Sequence, residues 1–250
     1  MEVYGNYQSS LSELAAAIGH IHDGEQWVYG IQTELMKIEQ GDIWCYPRPN
    51  IEQCQLALAR GCVAIVCCAT VETALPLFEV TDFEHSLGVL LNLFYQEPTS
   101  HMQVMAVTGT NGKTTVAYLC AAAMRILEKS ALLIGTLGRG SLGHLQAQRH
   151  TTPPAGELHQ ALATGRDRGV EYVAMEASSH GLDQGRLAGV MVDVAVFTNL
   201  THEHMDYHKT INEYLAAKQK LFMMKTVGIS VINLDDPSGE IIASRIRKAK

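Results

Sequence analysis

The chain has 250 residues, 47% of them hydrophobic, and a formal net charge of −7, enough for one large or two modest domains with a sizeable core. Mean hydropathy is +0.02, and no apolar run approaches the ~18 residues that a membrane span requires. An acidic balance without a basic stripe argues against nucleic acid as the main partner.

Met1-Glu2-Val3-Tyr4-Gly5 has neither a basic start nor an apolar leader, so a cytoplasmic enzyme is expected. Leu11 to Ile18 has the apolar spacing of a helix with one buried face. His20 and His22 beside Asp23-Gly24 read as loop histidines. Ile43 to Tyr46 reads as a short strand, Glu52 to Arg60 as a helix stopped by Gly61, and Cys62 to Cys67 as a buried strand. The six cysteines (Cys45, Cys54, Cys62, Cys67, Cys68, Cys120) show no CxxC spacing. Cys62, Cys67 and Cys68 lie in an apolar run, and buried reduced thiols are expected. A helix follows around Ser86 to Tyr95, and Glu97-Pro98-Thr99-Ser100 reads as a hinge. The expected organisation is a small N-terminal α/β domain, 1–100, and a second domain, 102–250.

In the second domain strands and helices alternate regularly. Strands are expected at Gln103–Thr108, Ala131–Ile134, Tyr172–Met175, Val192–Thr198 and Ile229–Asn233, with helices at Thr114–Leu127 and Ala155–Arg166. Repeated βα units imply a parallel sheet, with ligands beyond the C-terminal strand ends. There the first strand runs into Gly109-Thr110-Asn111-Gly112-Lys113-Thr114-Thr115. A glycine loop feeding a helix N-terminus can face a polyphosphate with backbone N–H groups. Lys113 would add a point charge and the Thr114 hydroxyl a ligand for Mg²⁺. The spacing is shorter than GxxxxGK[ST], since Val107 stands six before Lys113. An ATP site is expected, the alternative being an ordinary strand–turn–helix corner.

Glu176, at the end of the third of these strands, can bind or orient Mg²⁺, or else cap a helix. The fourth strand leads to Thr198-Asn199-Leu200-Thr201 and then His202, Glu203, His204, Asp206 and His208. That cluster invites a zinc reading, but the phosphate loop upstream favours an Mg²⁺ role for His204. Lys218, in Tyr214-Leu215-Ala216-Ala217-Lys218, reads on its own as a solvated helix lysine.

Together these segments resemble the Mur ligases, on the UDP-N-acetylmuramoyl-tripeptide synthetase (MurE) branch. The matching pieces are Gly109–Thr115, Thr151-Thr152-Pro153, Glu176–Gly181 through Arg186, Thr198–Thr201, His204–His208 and Ala216-Ala217-Lys218. The resemblance implies a P-loop-type parallel-sheet ATPase domain that is incomplete here, and a UDP-substrate-type domain before it. It implies an ATP-dependent ligase of peptidoglycan precursor synthesis. A carboxylate of UDP-MurNAc-L-Ala-D-Glu would be converted to an acyl phosphate and then captured by a diamino acid. By the same resemblance Gly109–Thr115 bind ATP, while Thr114, Glu176, His204 and a carbamylated Lys218 serve Mg²⁺. Thr151, Thr152, Ser178, Gln184 and Arg186 contact the UDP-substrate. The family's uridine motifs are not matched at Ile31–Leu35 or Pro47–Ile51. Its amino-acid-binding C-terminal domain has no counterpart in these residues, which leaves a ligase-inactive nucleotide- or UDP-sugar-binding module, or a remnant, as the alternative.

Overall fold

The computed structural model describes residues 7–249, so residues 1–6, which include the Met1–Gly5 start, and Lys250 lie outside it. The chain folds into two units, Met1–Glu97 and Pro98–Lys250.

In the first unit β1 (Ser9–Ser10) pairs antiparallel with β2 (Trp27–Val28) around α1 (Leu11–Ala17). The main sheet has the order β3 (Gly30–Gln32), β4 (Asp42–Cys45), β5 (Ala64–Cys67), β6 (Leu77–Glu79), all parallel. The helices start where a side chain can satisfy their free N–H groups. Ser10 caps α1, Asn50 and Gln53 form a capping box on α2 (Ile51–Ala59), and Asp82 caps α3 (Phe83–Phe94). That last cap places the start of α3 three residues before the expected Ser86. Trp44, Cys54, Ala57, Ile65 and Cys67 share one core. All six cysteines are free; Cys62 and Cys67 are buried, but Cys68 is only partly so, because it lies past the end of β5. His20 is a loop residue whose Nε2 lies 2.8 Å from the Glu79 carbonyl.

The second unit is built on a six-stranded sheet. Its strands are β7 (Gln103–Thr108), β8 (Ala131–Gly135), β9 (Gly138–Gly140), β10 (Tyr172–Glu176), β11 (Val194–Phe197) and β12 (Ile229–Ile232), in the order β12-β11-β7-β10-β8-β9. Every pairing is parallel except β8 with β9. The Gly-Arg-Gly of β9 has no β-branched residue and gives no strand signal in sequence. Strands β7, β8 and β10 are nearly continuous apolar runs because helices cover both faces. On one face α4 (Lys113–Ile126) buries Ala117 and Ala121 against Val107, Leu133 and Ala174. On the other, α5 (Ala155–Asp167), α7 (Ile211–Phe222) and α8 (Pro237–Ala249) place Leu158, Leu162, Leu215, Leu221 and Ile242 in the larger core. The short α6 (Ser179–Asp183) follows β10 directly. At the β12 edge Ile229 and Val231 are 58% and 50% exposed.

Candidate functional site

The loop after β7 leaves the middle of the sheet, flanked by the C-terminal ends of β10 and β11. Gly109 and Gly112 adopt φ +148° and +84°, conformations open mainly to glycine. A Cβ at Gly109 would also run into the Thr198 hydroxyl. The segment after β11 braces the loop. Thr110 N–H donates to the Asn199 carbonyl (2.8 Å), and Asn199 pairs its side-chain amide with the Asn111 peptide group (3.0 and 3.1 Å). Thr198 Oγ1 donates to Asn111 O at 2.7 Å, and Thr201 N–H to Thr110 Oγ1 at 2.9 Å. The Thr110 and Asn111 amides are therefore engaged by Asn199, and the donors facing outward are those from Gly112 onward.

Those donors open α4. Side chains cap α1, α2, α3, α6 and α7, whereas α4 begins at Gly112 and α5 at Pro154 with no side-chain cap. An uncapped helix start on a glycine loop offers unpaired N–H groups and the positive end of the helix dipole to an anion.

Two lysines converge on one carbonyl. Lys113 Nζ donates to Gly109 O (3.0 Å) and Thr110 O (2.8 Å), and Lys218 Nζ donates to Gly109 O (2.8 Å). Lys218 is only 1% exposed, so α7 presents it inward and the solvated reading does not hold. Its Nζ also lies 4.1 Å from the centre of the Tyr214 ring, one helical turn earlier. Burial, and then the Lys113 charge, bring the Lys218 amine down to about 7. Burial also lowers Lys113, against the pull of Glu176 and Glu203.

Glu176, 1% exposed at the end of β10, is held from two sides. Thr114 Oγ1 donates to its Oε2 at 2.9 Å, while Thr136 donates its backbone N–H to Oε1 (2.7 Å) and its hydroxyl to Oε2 (3.3 Å). Gly135 makes this possible, since a Cβ there would strike the carboxylate.

His204 sits in an adjoining ring cluster, at φ +57°. Its ring centroid is 5.0 Å from that of His180 and 6.0 Å from that of Tyr214, whose hydroxyl lies 3.2 Å from Thr110 Oγ1. Among the described residues no three His, Cys, Asp or Glu side chains converge as a metal cage.

The other predicted residues gather beyond α6. Arg186 donates to Thr152 O (2.5 Å) and through two nitrogens to Gln184 Oε1 (3.0 and 2.6 Å). Thr152 is fully buried, its hydroxyl donating to Glu176 O and accepting from Ser178 N–H, and Ser178 caps α6. Thr151 Oγ1 lies 3.2 Å from Thr136 Oγ1. Sequence reasoning missed Gly135, Thr136 and Tyr214; only Tyr214 had a signal, four residues before Lys218 on the same helix.

Fold and loop define the class: a parallel α/β sheet with a glycine loop and a helix N-terminus at its C-terminal edge. The model of the Mur ligase middle domain matches residues 107–250, and the chain belongs to the Mur ligase family. A UDP-N-acetylmuramoyl-L-alanyl-D-glutamate–2,6-diaminopimelate ligase of Coxiella burnetii is 35% identical over 246 residues, which is 95% of this chain and 50% of the relative. The ligase of the same name from Pseudomonas aeruginosa is 44% identical over 192 residues, 75% of this chain and 39% of its own. A solved structure of a ligase of that name superimposes with TM-score 0.81 at 30% identity, over 96% of this chain and 50% of that one. MurF from Acinetobacter baumannii, at 17% identity and TM-score 0.64 over 96% of this chain and 52% of its own, shares the fold. The chain thus spans about half the length of the Coxiella burnetii ligase and of the solved ligase of that name.

Proposed function

We propose that this chain carries the ATP-handling part of an amide ligase that joins a diamino acid to UDP-MurNAc-L-Ala-D-Glu in the cytoplasm. In this reading residues 1–100 form the UDP-substrate-type domain and 102–250 part of the central ATP-binding domain. The observation that carries it is the pair of lysines on the Gly109 carbonyl, Lys218 buried and Lys113 half-buried, beside the uncapped start of α4 on its glycine loop. Two cations in one place repel each other; a polyphosphate at the helix start would pair with Lys113, and loss of the Lys218 charge would remove the repulsion.

The residues fit Mg²⁺. The Thr114 hydroxyl and Glu176 carboxylate are hard oxygen donors already in contact, and Mg²⁺ sites commonly combine one or two carboxylates with substrate phosphates. Thr114, Glu176, a carbamylated Lys218 and His204 would hold or orient the ion, which supplies charge neutralisation for the phosphates. The buried Lys218 amine supports the carbamate. Its neutral form adds to CO₂, forming an N–C bond and releasing a proton, and this replaces repulsion from Lys113 with attraction.

Phosphoryl transfer asks mainly for positioning and charge stabilisation. Lys113 and the amides from Gly112 to Thr115 hold the phosphates, while Asn199 keeps Gly109, Thr110 and Asn111 in shape. Thr151, Gln184 and Arg186 orient the UDP-peptide, with Thr152 and Ser178 shaping the surface under them. A D-glutamate carboxylate oxygen then attacks the γ-phosphorus, ADP leaves, and the incoming amine displaces phosphate from the acyl phosphate. The printed names of the relatives favour 2,6-diaminopimelate as that amine. Calorimetry with Mg²⁺ and a non-hydrolysable ATP analogue tests the reading. The chain should bind, and Lys113→Ala should weaken binding at least about tenfold, the scale of one charge-assisted contact; equal affinities would overturn it.

A further inference from the structure

Four side chains form one hydrogen-bonded line across the site. Thr151 Oγ1 lies 3.2 Å from Thr136 Oγ1, Thr136 Oγ1 donates to Glu176 Oε2 at 3.3 Å, and Thr114 Oγ1 donates to the same oxygen at 2.9 Å. One end of the line stands on the segment assigned to the UDP-substrate and the other on the phosphate loop. We infer that Thr136 is a positioning residue that couples the two ligands, so that each strengthens the binding of the other. The inference rests on the reading of the site given above.

The chemistry of a hydroxyl gives the direction of the line. A threonine has one proton to donate. Because Glu176 accepts only, Thr136 donates to Glu176, and Thr151 must then donate to Thr136. Glu176 Oε2 in turn shares its lone pairs between the Thr136 and Thr114 hydroxyls. A substrate group that donates to the Thr151 oxygen strengthens each successive donation down the line, since linked hydrogen bonds polarise one another. When the nucleotide side draws the Thr114 hydroxyl away, the Thr136 bond remains to hold Oε2. The backbone enforces this arrangement. Thr136 N–H holds Oε1 at 2.7 Å, and Gly135 leaves the space that Glu176 fills. Whichever ligand binds first orders the shared residues, and the second has less to order. Coupling of this kind is reciprocal.

The test is a pair of calorimetric titrations on the 250-residue chain, with Mg²⁺ plus a non-hydrolysable ATP analogue, in the absence and presence of saturating UDP-MurNAc-L-Ala-D-Glu. The ratio of the two nucleotide Kd values reads the coupling. We expect at least about fivefold tightening in the wild type, the lower end for allosteric pairs. Thr136→Val keeps the shape and the backbone N–H but removes the hydroxyl, and should bring the ratio below about twofold; Thr136→Ser should restore it. A second measurement needs only one ligand: adding the UDP-dipeptide alone should shift the Thr114 methyl resonance in the wild type and not in Thr136→Val. A ratio near one in the wild type, or an undiminished ratio in Thr136→Val, overturns the coupling and leaves the function standing. Failure of both ligands to bind the wild type overturns the functional reading and the coupling with it.

Discussion

Lys113 and Lys218 direct two ammonium groups at the Gly109 carbonyl, so each should be sensitive in its own way. In a complete ligase of this sequence, Lys113→Ala should lower turnover by at least ~10²-fold, the scale of one preorganised charge-stabilising contact. Turnover within threefold of wild type would show that the loop is not the ATP site. Lys218 should take up label from ¹³C-bicarbonate. The amine sits at about 7, so its CO₂-reactive neutral form dominates above that pH and is lost below it. The carbamate signal should be present at pH 8 and absent at pH 6, and a free amine at pH 8 with Mg²⁺ and nucleotide bound would refute the assignment. Lys218→Ala should be inactive and partly rescued by short carboxylates. Lys113 was legible because GTNGKT is a local pattern. The burial of Lys218 was not, since its partner carbonyl is 109 residues away in the chain.

At the scale of elements, the start of α4 depends on the glycine loop that leads into it. Gly109→Ala should abolish nucleotide binding while leaving the protein folded, because the new Cβ displaces Thr198 and with it the brace on the loop; unchanged affinity would contradict this. Helix α5 carries a different sensitivity. His159 is fully buried, its Nε2 is 2.9 Å from the Ala188 carbonyl, and its Nδ1 has no partner. The carbonyl takes the N–H at Nε2, and a second proton at Nδ1 would be buried with no acceptor, so the ring is neutral. Burial holds it down at about 4, against an unfolded value of 6.5. A lowered folded pKa means that the unfolded chain binds the extra proton. The stability this group contributes is complete above pH 6.5 and is lost as pH falls toward 4. From pH 7 to pH 5 the loss amounts to about 2 kcal/mol. Urea midpoints at the two pH values should show it, and His159→Gln should flatten the dependence; an equally steep fall in that variant would assign the effect elsewhere.

On the scale of the whole molecule, the chain spans about half the length of its full-extent relatives. In isolation, residues 1–250 should bind Mg²⁺–nucleotide yet form no tripeptide. Delivering an amine to an acyl phosphate joins two reactants, and positioning contributes ~7–11 kcal/mol to such a step. Incubation with ATP, Mg²⁺, UDP-MurNAc-L-Ala-D-Glu and diaminopimelate or lysine, followed by mass spectrometry, checks this. Catalytic amounts of tripeptide would show that these residues suffice.

Five strands of the second unit, β7, β8, β10, β11 and β12, with helices α4 and α5 and the glycine loop, follow from the sequence. Their signals are local: continuous apolar runs, 3.6-residue spacing and loop glycines lie within a turn or a strand of the residue they govern. The antiparallel β9, the inward turn of Lys218, the bed that Gly135 and Thr136 make for Glu176, and the grip of Asn199 on the loop belong to the tertiary structure. Asn199 reaches the loop because β11 lies beside β7, Gly135 and Thr136 reach Glu176 because β8 lies beside β10, and β9 folds back onto β8. Strand order is decided by how the apolar faces of all the elements are buried together, and no single segment carries that information.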